Sequence, residues 1–304
     1  MKHWLSAFRL RTLPLAVSSI LVGSALAHVA DGATYVGPPA FRPTILILAL
    51  LTAILLQILS NLANDLGDHQ HGTDNEARVG PQRAVQSGAI STAAMKRAML
   101  ICGALAFITG CALITMALGL TMQTLAFLIL GLAAIGAAVK YTFGKNPYGY
   151  AGLGDLSVFL FFGIVGVCGT FYLHTRGFHP AVLLPAVAFG LLSTGVLNVN
   201  NMRDIHNDEA SGKRTLVVRM GSANARVYHT FLVVGGVVCL LMFTLLGTRS
   251  PLQWIYLPAL FLPLLHLVKV WRTAEPRDLD PQLKVLALGT FFTAILFSFG
   301  LFFW

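Results

Sequence analysis

Long apolar segments recur along the whole chain, separated by short stretches that contain glycine, proline and charged residues. Each segment is close to the roughly 20 residues that an α-helix needs to cross the hydrocarbon core of a bilayer. The pattern predicts an all-α membrane protein that forms a single domain over residues 1–304. The nine predicted spans are residues 13–29, 43–64, 95–119, 122–141, 153–173, 180–201, 226–247, 252–270 and 285–304.

Composition supports a membrane protein over a soluble one. Hydrophobic residues make up 56% of the chain and charged residues only 11%, whereas a soluble domain carries about 25% charged residues. The formal net charge is +9. In a chain with this many apolar segments, the excess of basic residues indicates membrane topology and attraction to anionic lipid, not a nucleic-acid partner.

The basic residues also predict an orientation. Eighteen of the 21 Lys and Arg residues fall in loops on one side of the predicted spans, and Arg42, Arg176 and Arg249 fall on the other. The richer side is expected to be cytoplasmic, with the N-terminus inside and the C-terminus outside. Eleven of the 12 acidic residues lie on the same side. Acidic residues do not determine topology, so their uneven distribution indicates a functional site on the cytoplasmic side.

Two polar motifs interrupt the apolar pattern. The first is Asn-Leu-Ala-Asn-Asp-Leu-Gly-Asp at 61–68, and the second is Asn-Asn-Met-Arg-Asp-Ile-His-Asn-Asp at 200–208. Asn61 and Asn200 are 139 residues apart (200 minus 61), at the ends of the second and sixth predicted spans. The repetition predicts two pseudo-repeated four-helix halves around a central cavity, with a ninth helix appended.

The spacing places the polar residues of each motif on one face of its helix, because residues three, four and seven apart are neighbours on a helix surface. These faces are Asn61, Asn64, Asp65 and Asp68 in the first motif and Asn201, Asp204 and Asp208 in the second. Several carboxylates this close together repel one another unless a cation lies between them. Mg²⁺ prefers hard oxygen ligands and leaves positions for substrate phosphate. Each acid alone could instead be a solvated helix end. The predicted metal ligands are Asn64, Asp65, Asp68, Asp74, Asp204 and Asp208.

Further residues near the motifs are candidates for substrate binding or catalysis. Basic side chains could share the charge of a bound diphosphate, although loop charge for topology is an equal alternative for several of them. Asp155, at the start of the fifth span, could cap its helix or orient an acceptor. The predicted substrate-binding residues from this pattern are Asn61, Asn64, Asn200, Asn201, Arg83, Lys140, Arg203 and Lys213, and the loop residue Arg78 is a further basic candidate.

Seven segments carry a resemblance to a known family. The chain resembles the UbiA superfamily of membrane prenyltransferases. Within this superfamily, the segments Gly-Thr-Asp (72–74) and Arg-Val-Gly-Pro-Gln-Arg (78–83) resemble those of the enzymes that act on 1,4-dihydroxy-2-naphthoate. The segments are residues 11–16, 61–68, 72–74, 78–83, 149–155, 200–205 and 212–221.

The resemblance implies an enzyme of the bacterial inner membrane, in contact with lipid, that uses Mg²⁺. Its donor would be a polyprenyl diphosphate, octaprenyl, and its acceptor 1,4-dihydroxy-2-naphthoate. Diphosphate and CO₂ would be lost to give demethylmenaquinone. Asp65, Asp68, Asp204, Asp208 and Asp155 would be catalytic. Arg11 would bind substrate, as would Tyr141, which with Tyr148, Phe159 and Phe162 could stabilise an allylic cation.

Two other functions stay open. A related aromatic prenyltransferase would keep the same fold and donor site but use another acceptor, such as 4-hydroxybenzoate. A secondary transporter would also have a repeat and intramembrane acids, but its charged site should lie near the middle of the bilayer.

Overall fold

The computed structural model describes residues 2–33, 40–75, 79–80, 82–247 and 250–302. Arg78 and Arg249, named above, lie outside these residues. Within this part of the chain the secondary structure is helical and contains no strand.

The α-helices, in chain order, are α1 (Lys2–Phe8), α2 (Leu13–Ala33), α3 (Pro43–Gln70), α4 (Thr92–Leu118), α5 (Met122–Lys140), α6 (Gly154–Val158), α7 (Thr170–Thr175), α8 (Leu183–Arg203), α9 (Ile205–Ala210), α10 (Leu216–Gly247), α11 (Phe261–Arg272) and α12 (Asp280–Leu301). A π-helical stretch (Phe159–Gly169) joins α6 to α7. Short 3₁₀ turns occupy Leu10–Thr12, Tyr148–Ala151, Pro180–Val182, Pro251–Trp254, Leu257–Leu260 and Pro276–Leu279.

Nine helical stretches of the described chain are long and apolar enough to cross a membrane. We number them as spans 1 to 9. The predicted all-α membrane fold is therefore confirmed. The spans are Lys2–Ala30, Pro43–Gln70, Thr92–Leu118, Met122–Lys140, Gly154–Thr175, Pro180–Arg203, Leu216–Gly247, Pro251–Arg272 and Pro276–Leu301.

Several helix ends differ from the prediction. Span 7 begins at Leu216, ten residues before the predicted start at 226. A kink at Gly221, where φ is 78° and ψ is 163°, separates its first residues from the long helix that follows. The first turns contain charged residues, so the hydrophobic pattern predicted a loop there. Two of these residues donate hydrogen bonds to backbone carbonyls of neighbouring segments. Arg219 donates to the Ala151 carbonyl and Arg226 to the Thr273 carbonyl, both at 2.7 Å. Span 2 continues to Gln70, so the whole first motif is helical.

Two packing groups make up the bundle. Span 2 packs on spans 3 and 4, and span 6 packs on spans 5, 7 and 9. Span 1 packs on span 9 and also on spans 2 and 5, so it joins the two groups. The two motif-bearing helices, α3 and α8, thus belong to different groups, and their motifs lie at the same kind of position, the C-terminal end of the helix.

Glycines allow span 5 to approach its neighbours closely. A Cβ added at Gly163 would lie 2.6 Å from the Ala186 carbonyl oxygen, and one at Gly166 would lie 2.7 Å from the Ser19 Cβ. Small residues permit such contact between membrane helices, where packing and not the hydrophobic effect drives association. Because the π-helical stretch belongs to span 5, this contact also fixes one wall of the cavity described below.

We expect Gly163→Ala to destabilise the bundle, because the backbone oxygen that the new methyl group meets cannot rotate away. Overpacking of this kind costs about 1–3 kcal/mol. Gly136→Ala is the matched control, since a Cβ there meets no atom within 4 Å. Thermal unfolding of the detergent-solubilised variants measures the difference. Equal midpoints for the two variants would contradict the proposed close contact.

Candidate active site

A central cavity of about 410 Å³ lies between the helices, lined by residues of spans 1 to 6 and by Leu283 of span 9. One end is polar and is lined by side chains from both motifs. The rest of the wall is mostly apolar, with a few hydroxyl side chains such as Ser19, Thr52 and Thr170. The predicted site residues that line it are Asn61, Asn64, Asp68, Asp74, Arg83, Tyr141, Asn200, Asn201, Asp204 and Asp208.

The first motif lies in the last turns of α3, which presents Asn64 and Asp68 to the cavity. The Asn64 side-chain oxygen accepts a hydrogen bond from the Thr142 hydroxyl at 2.8 Å. The Asp68 carboxylate accepts one from the Tyr150 hydroxyl at 2.9 Å. Gly67 permits this arrangement, because a Cβ there would lie 2.5 Å from the Thr142 carbonyl oxygen.

Asp65, predicted as a metal ligand and a catalytic residue, does not line the cavity. Its carboxylate accepts hydrogen bonds from the backbone N–H groups of Ala84 and Val85, each at 3.3 Å. The reason is helical geometry. Asp65 follows Asn64 by one residue, which rotates the side chain by about 100° around the helix axis. The stripe of polar residues is therefore wider than one face.

The second motif crosses a break between two helices. Helix α8 ends at Arg203, and α9 begins at Ile205. Asp204, between them, has φ −95° and ψ 9°, so the chain turns there and brings Asp204 and Asp208 to the same cavity. Asp208 lies 3.5 Å from the Lys213 ammonium nitrogen.

Arg203, predicted to bind substrate, is turned into the protein. Its guanidinium donates to both oxygens of Asp204, at 2.9 and 2.6 Å, and to Asp280 of span 9 at 2.5 Å. The side chain is buried, and all three guanidinium nitrogens have partners. A fourth hydrogen bond goes to the Asn200 side-chain oxygen at 3.1 Å. Arg203 therefore orients Asp204 and ties span 6 to span 9.

The prediction aligned Asn61 with Asn200, and both line the cavity. An Asn and an Asp four residues apart also line it together in each motif. These pairs are Asn64 with Asp68 and Asn200 with Asp204, and their first members are 136 residues apart (200 minus 64).

Asp208 is a buried carboxylate that is only partly compensated. One oxygen faces Lys213, and the other is buried and accepts no hydrogen bond. Burial raises the pKa of Asp208 to about 6, although Lys213 opposes the shift. Burial alone would lower the pKa of Lys213, but Asp68 and Asp208 raise it above its usual value, so this side chain is a fixed cation. The free oxygen of Asp208 leaves a position for a further cation.

The donor set fits Mg²⁺ bound together with a phosphate ligand. The side-chain oxygen of Asn207, like the free oxygen of Asp208, is buried without a partner, and both residues line the cavity. Among the residues that the structure describes, no group of three or more His, Cys, Asp and Glu side chains is arranged to hold a metal ion. Mg²⁺ usually binds through one or two carboxylates and completes its shell with waters and substrate phosphates.

Loops close the polar end of the cavity. Arg83 lies 3.9 Å from Asp74. The Thr73 hydroxyl and the Tyr150 hydroxyl are 2.5 Å apart, and the Asn207 amide donates to the Thr73 carbonyl at 2.9 Å. Segment 73–74 thus contacts both the loop that precedes span 5 and the second motif. Burial and then Asp68 raise the pKa of Tyr150, which keeps its hydroxyl protonated as a donor.

Three other predicted residues lie away from the cavity. Lys140 is exposed and donates to the Lys145 carbonyl at the end of span 4. Arg11 is exposed. Asp155 is buried, accepts a hydrogen bond from Tyr228 of span 7, and is not among the cavity residues.

The sequence interpretation missed four cavity or cavity-closing residues. Arg9 lines the cavity where Arg11 was predicted, because its left-handed conformation (φ 49°, ψ 59°) breaks the helix before Leu10. Thr73 and Asn207 line the cavity, and Tyr150 contacts Asp68. Arg9 lies two residues before Arg11 in the sequence, so this pair of arginines was a signal that could have identified Arg9. Asn207 lies within the second motif, and Thr73 and Tyr150 lie within segments 72–74 and 149–155, so their positions were also a signal.

We expect Arg203→Gln to lower stability, because it leaves the buried Asp204 carboxylate without its two charged hydrogen bonds. Removing one partner of a buried ion pair costs about 3–5 kcal/mol, and partial exposure of Asp280 favours the lower end. Arg203→Lys should recover part of the loss, since it keeps the charge but not the planar fork. Thermal unfolding measures the effect, with exposed Arg214→Gln as control. An unchanged midpoint for Arg203→Gln would contradict this role.

Relatives with assigned activities match nearly the whole chain. The 1,4-dihydroxy-2-naphthoate octaprenyltransferase of Escherichia coli K12 is 46% identical over 299 residues, which cover 98% of this chain and 94% of the relative. The enzyme with the same name from Haemophilus influenzae is 44% identical over 304 residues, covering 99% and 96%. That from Mycobacterium tuberculosis is 39% identical, covering 78% and 76%.

Solved structures show the same fold at low sequence identity. A UbiA homolog from Aeropyrum pernix K1 has a TM-score of 0.71 at 16% identity, covering 97% of this chain and 98% of that one. A UbiA homolog from Archaeoglobus fulgidus, solved with DMAPP and Mg²⁺, has a TM-score of 0.63 at 16% identity, covering 97% and 99%. The profile of the UbiA prenyltransferase family matches residues 17–300. This multi-pass membrane chain, whose cavity joins two acidic motifs, therefore belongs to the UbiA prenyltransferase family.

Proposed function

We propose that this protein is a Mg²⁺-dependent prenyltransferase that transfers an octaprenyl group from its diphosphate to 1,4-dihydroxy-2-naphthoate. The observation that carries the proposal is the cavity itself, which combines acidic motif residues at one end with an apolar wall. The acceptor and the length of the prenyl chain rest on the names of the relatives that are 44–46% identical over nearly the full length.

The polar end provides what a diphosphate donor requires. Asn64, Asp68, Asp204 and Asp208 would hold Mg²⁺, which when bound neutralises the charge of the departing diphosphate. Asp74 would contribute from the loop. Cationic side chains would contact the remaining phosphate oxygens, as Lys and Arg do in other phosphate sites. They are Arg9 and Arg83, which line the cavity, and Lys213 beside Asp208.

The proposed reaction balances without an oxidant. The allylic C–O bond of the donor breaks, and its electron pair leaves with the diphosphate. A new C–C bond forms between the prenyl group and the ring carbon that carries the carboxylate. The C–CO₂ bond then breaks, and its electron pair restores the aromatic ring. The direct product is thus the quinol, and the demethylmenaquinone expected from the sequence requires a later two-electron oxidation.

The apolar wall would protect the reacting carbon from water. An allylic cation in a wet site would be captured by water, so exclusion of solvent favours transfer to the ring. Phe161, Phe162, Tyr141 and Tyr148 line the cavity and offer aromatic faces for cation–π contact. Phe159, expected to join them, is not among the cavity residues, because its ring packs at Gly190 of span 6.

The remainder of the cavity is suited to the prenyl tail. Away from the motifs the wall is formed by apolar side chains of spans 1 to 4, with small residues that leave space between the helices. The long tail of an octaprenyl donor would follow this wall toward the lipid. Residues along this part include Ile20, Ala49, Gly110, Ile114, Phe127 and Gly131.

We also propose that the chain forms one domain in the bacterial inner membrane, with the N-terminus and the site on the cytoplasmic side. The support is the uneven charge distribution, with 18 of 21 basic residues on the side that carries the motifs. A water-soluble acceptor would reach the polar end from this side. The position of the acids at helix ends, and not at mid-membrane, argues against a secondary transporter.

We expect Asp208→Asn and Asp204→Asn to reduce prenyl transfer at least about 100-fold, as loss of one charge-stabilising group in an active site commonly does. Exposed Glu209→Gln, beside Asp208, is the matched control and should keep full activity. The assay follows diphosphate release in membranes supplied with octaprenyl diphosphate, 1,4-dihydroxy-2-naphthoate and Mg²⁺. Chelation by EDTA should stop the reaction, and added Mg²⁺ should restore it. Normal turnover by both Asp variants would refute the ligand assignment.

A second experiment tests the acceptor. A bacterial host that lacks its own menaquinone prenyltransferase should regain menaquinone when this chain is expressed. Purified protein offered 1,4-dihydroxy-2-naphthoate and 4-hydroxybenzoate together should prenylate the first. If only 4-hydroxybenzoate were prenylated, the proposed acceptor would be refuted, while the proposed donor site would still be consistent with the result.

A further inference from the structure

We propose that Asp65 is a positioning residue, which holds the loop that carries Arg83 against the mouth of the cavity and does not bind the metal ion. The inference deepens the proposed function, on which its kinetic test rests. It gives a role to a motif acid that faces away from the cavity.

The contacts of Asp65 account for both of its oxygens. One accepts a hydrogen bond from the Ala84 N–H and the other from the Val85 N–H, each at 3.3 Å. The side chain is only 1% exposed. Two consecutive backbone N–H groups form an anion-binding site, and here the bound anion is the buried carboxylate of Asp65. No oxygen is left to point toward the cavity.

The loop that Asp65 binds continues into the proposed donor site. Arg83 directly precedes Ala84, lines the cavity, and lies 3.9 Å from Asp74. The Gln86 side chain accepts from the Arg83 N–H at 3.2 Å and donates to the Asn75 carbonyl at 3.1 Å. Segments 73–75 and 83–86 are thus joined, and Asp65 attaches segment 83–86 to α3. Segment 73–75 has its own attachment, because the N–H groups of Thr73 and Asp74 donate to the Asp68 carbonyl.

Apolar contacts place the loop but do not fix its register. Ala84 and Val85 are 6% and 5% exposed, and they belong to the same buried cluster as Leu62 and Leu66 of α3. Such packing is non-directional. The hydrogen bonds to Asp65 select one register and so decide whether residue 83 faces the cavity.

The carboxylate is suited to this role in a way that its amide is not. In Asp65→Asn one oxygen can still accept a hydrogen bond, but the amide NH₂ group faces the second backbone N–H. Two donors then oppose each other in a buried position, which is unfavourable. The variant is nearly the same size, so its effect reports on hydrogen bonding and not on a cavity.

The kinetic test compares Asp65→Asn, Arg83→Gln and the double variant. We expect Asp65→Asn to raise the KM for octaprenyl diphosphate about tenfold through loss of the loop position. The Mg²⁺ concentration for half-maximal activity should stay as in the parent. The double variant should be no worse than Arg83→Gln alone, because both changes remove the same contact.

Three outcomes would overturn the proposal. The first is an increase in the Mg²⁺ requirement of Asp65→Asn like that of Asp208→Asn, which would make Asp65 a ligand. The second is an additive double variant. The third is an unchanged KM. His69→Asn, an exposed position of the same helix, is the control and should match the parent in every measurement.

A labelling test decides the loop position without any turnover. Ala84→Cys places a thiol in the buried loop, where a water-soluble maleimide should react slowly. Combination with Asp65→Asn should speed labelling at least about tenfold, and combination with His69→Asn should not. The parent chain, with cysteines at 102, 111, 168 and 239 in the spans, gives the background. Equal labelling rates would overturn the positioning role.

If instead the parent shows no prenyl transfer while labelling behaves as expected, the proposed function fails and the positioning role stands.

Discussion

Buried carboxylates at the ends of two membrane helices must each find a positive charge or hydrogen-bond donors, and the site is arranged around this requirement. An uncompensated charge in this environment is costly. Each acid has a different partner, and one oxygen of Asp208 is buried and accepts no hydrogen bond. The partners are the backbone of residues 84–85 for Asp65, Tyr150 for Asp68, Arg83 for Asp74, Arg203 for Asp204 and Lys213 for Asp208.

Those partners also divide the acids into two kinds. Asp68, Asp74, Asp204 and Asp208 line the cavity, where we propose that they share a cation with a diphosphate. Asp65 is turned away and holds a loop in place. Arg203 has the corresponding role in the second motif, where it orients Asp204 and joins span 6 to span 9 through Asp280. Each motif therefore combines residues for the ligand with one that fixes the surroundings, and a ligand set held this way is preorganised.

The apolar part of the cavity follows from a different constraint. Glycines at 163 and 166 let span 5 approach spans 6 and 1, so that its π-helical stretch forms a wall beside the polar end. The charged residues line one end of the cavity, and the apolar wall limits the access of water to the remainder of the cavity. An allylic cation formed at the boundary would meet the acceptor ring before solvent.

The sequence by itself determined the number and type of the spans, the two motifs and the chemistry they support, because apolar length and residue type are local properties. It could not decide which side of a helix end each residue faces. Asp65 and Asn64 are neighbours in sequence yet face different partners, and Arg9 replaces Arg11 because one residue adopts a left-handed conformation. The pairing of Asp208 with Lys213, and of Asp65 with a loop 19 to 20 residues further on, arises only when helices pack. Side-chain direction at a helix end depends on where the helix stops and on what packs against it, and only the tertiary structure settles both.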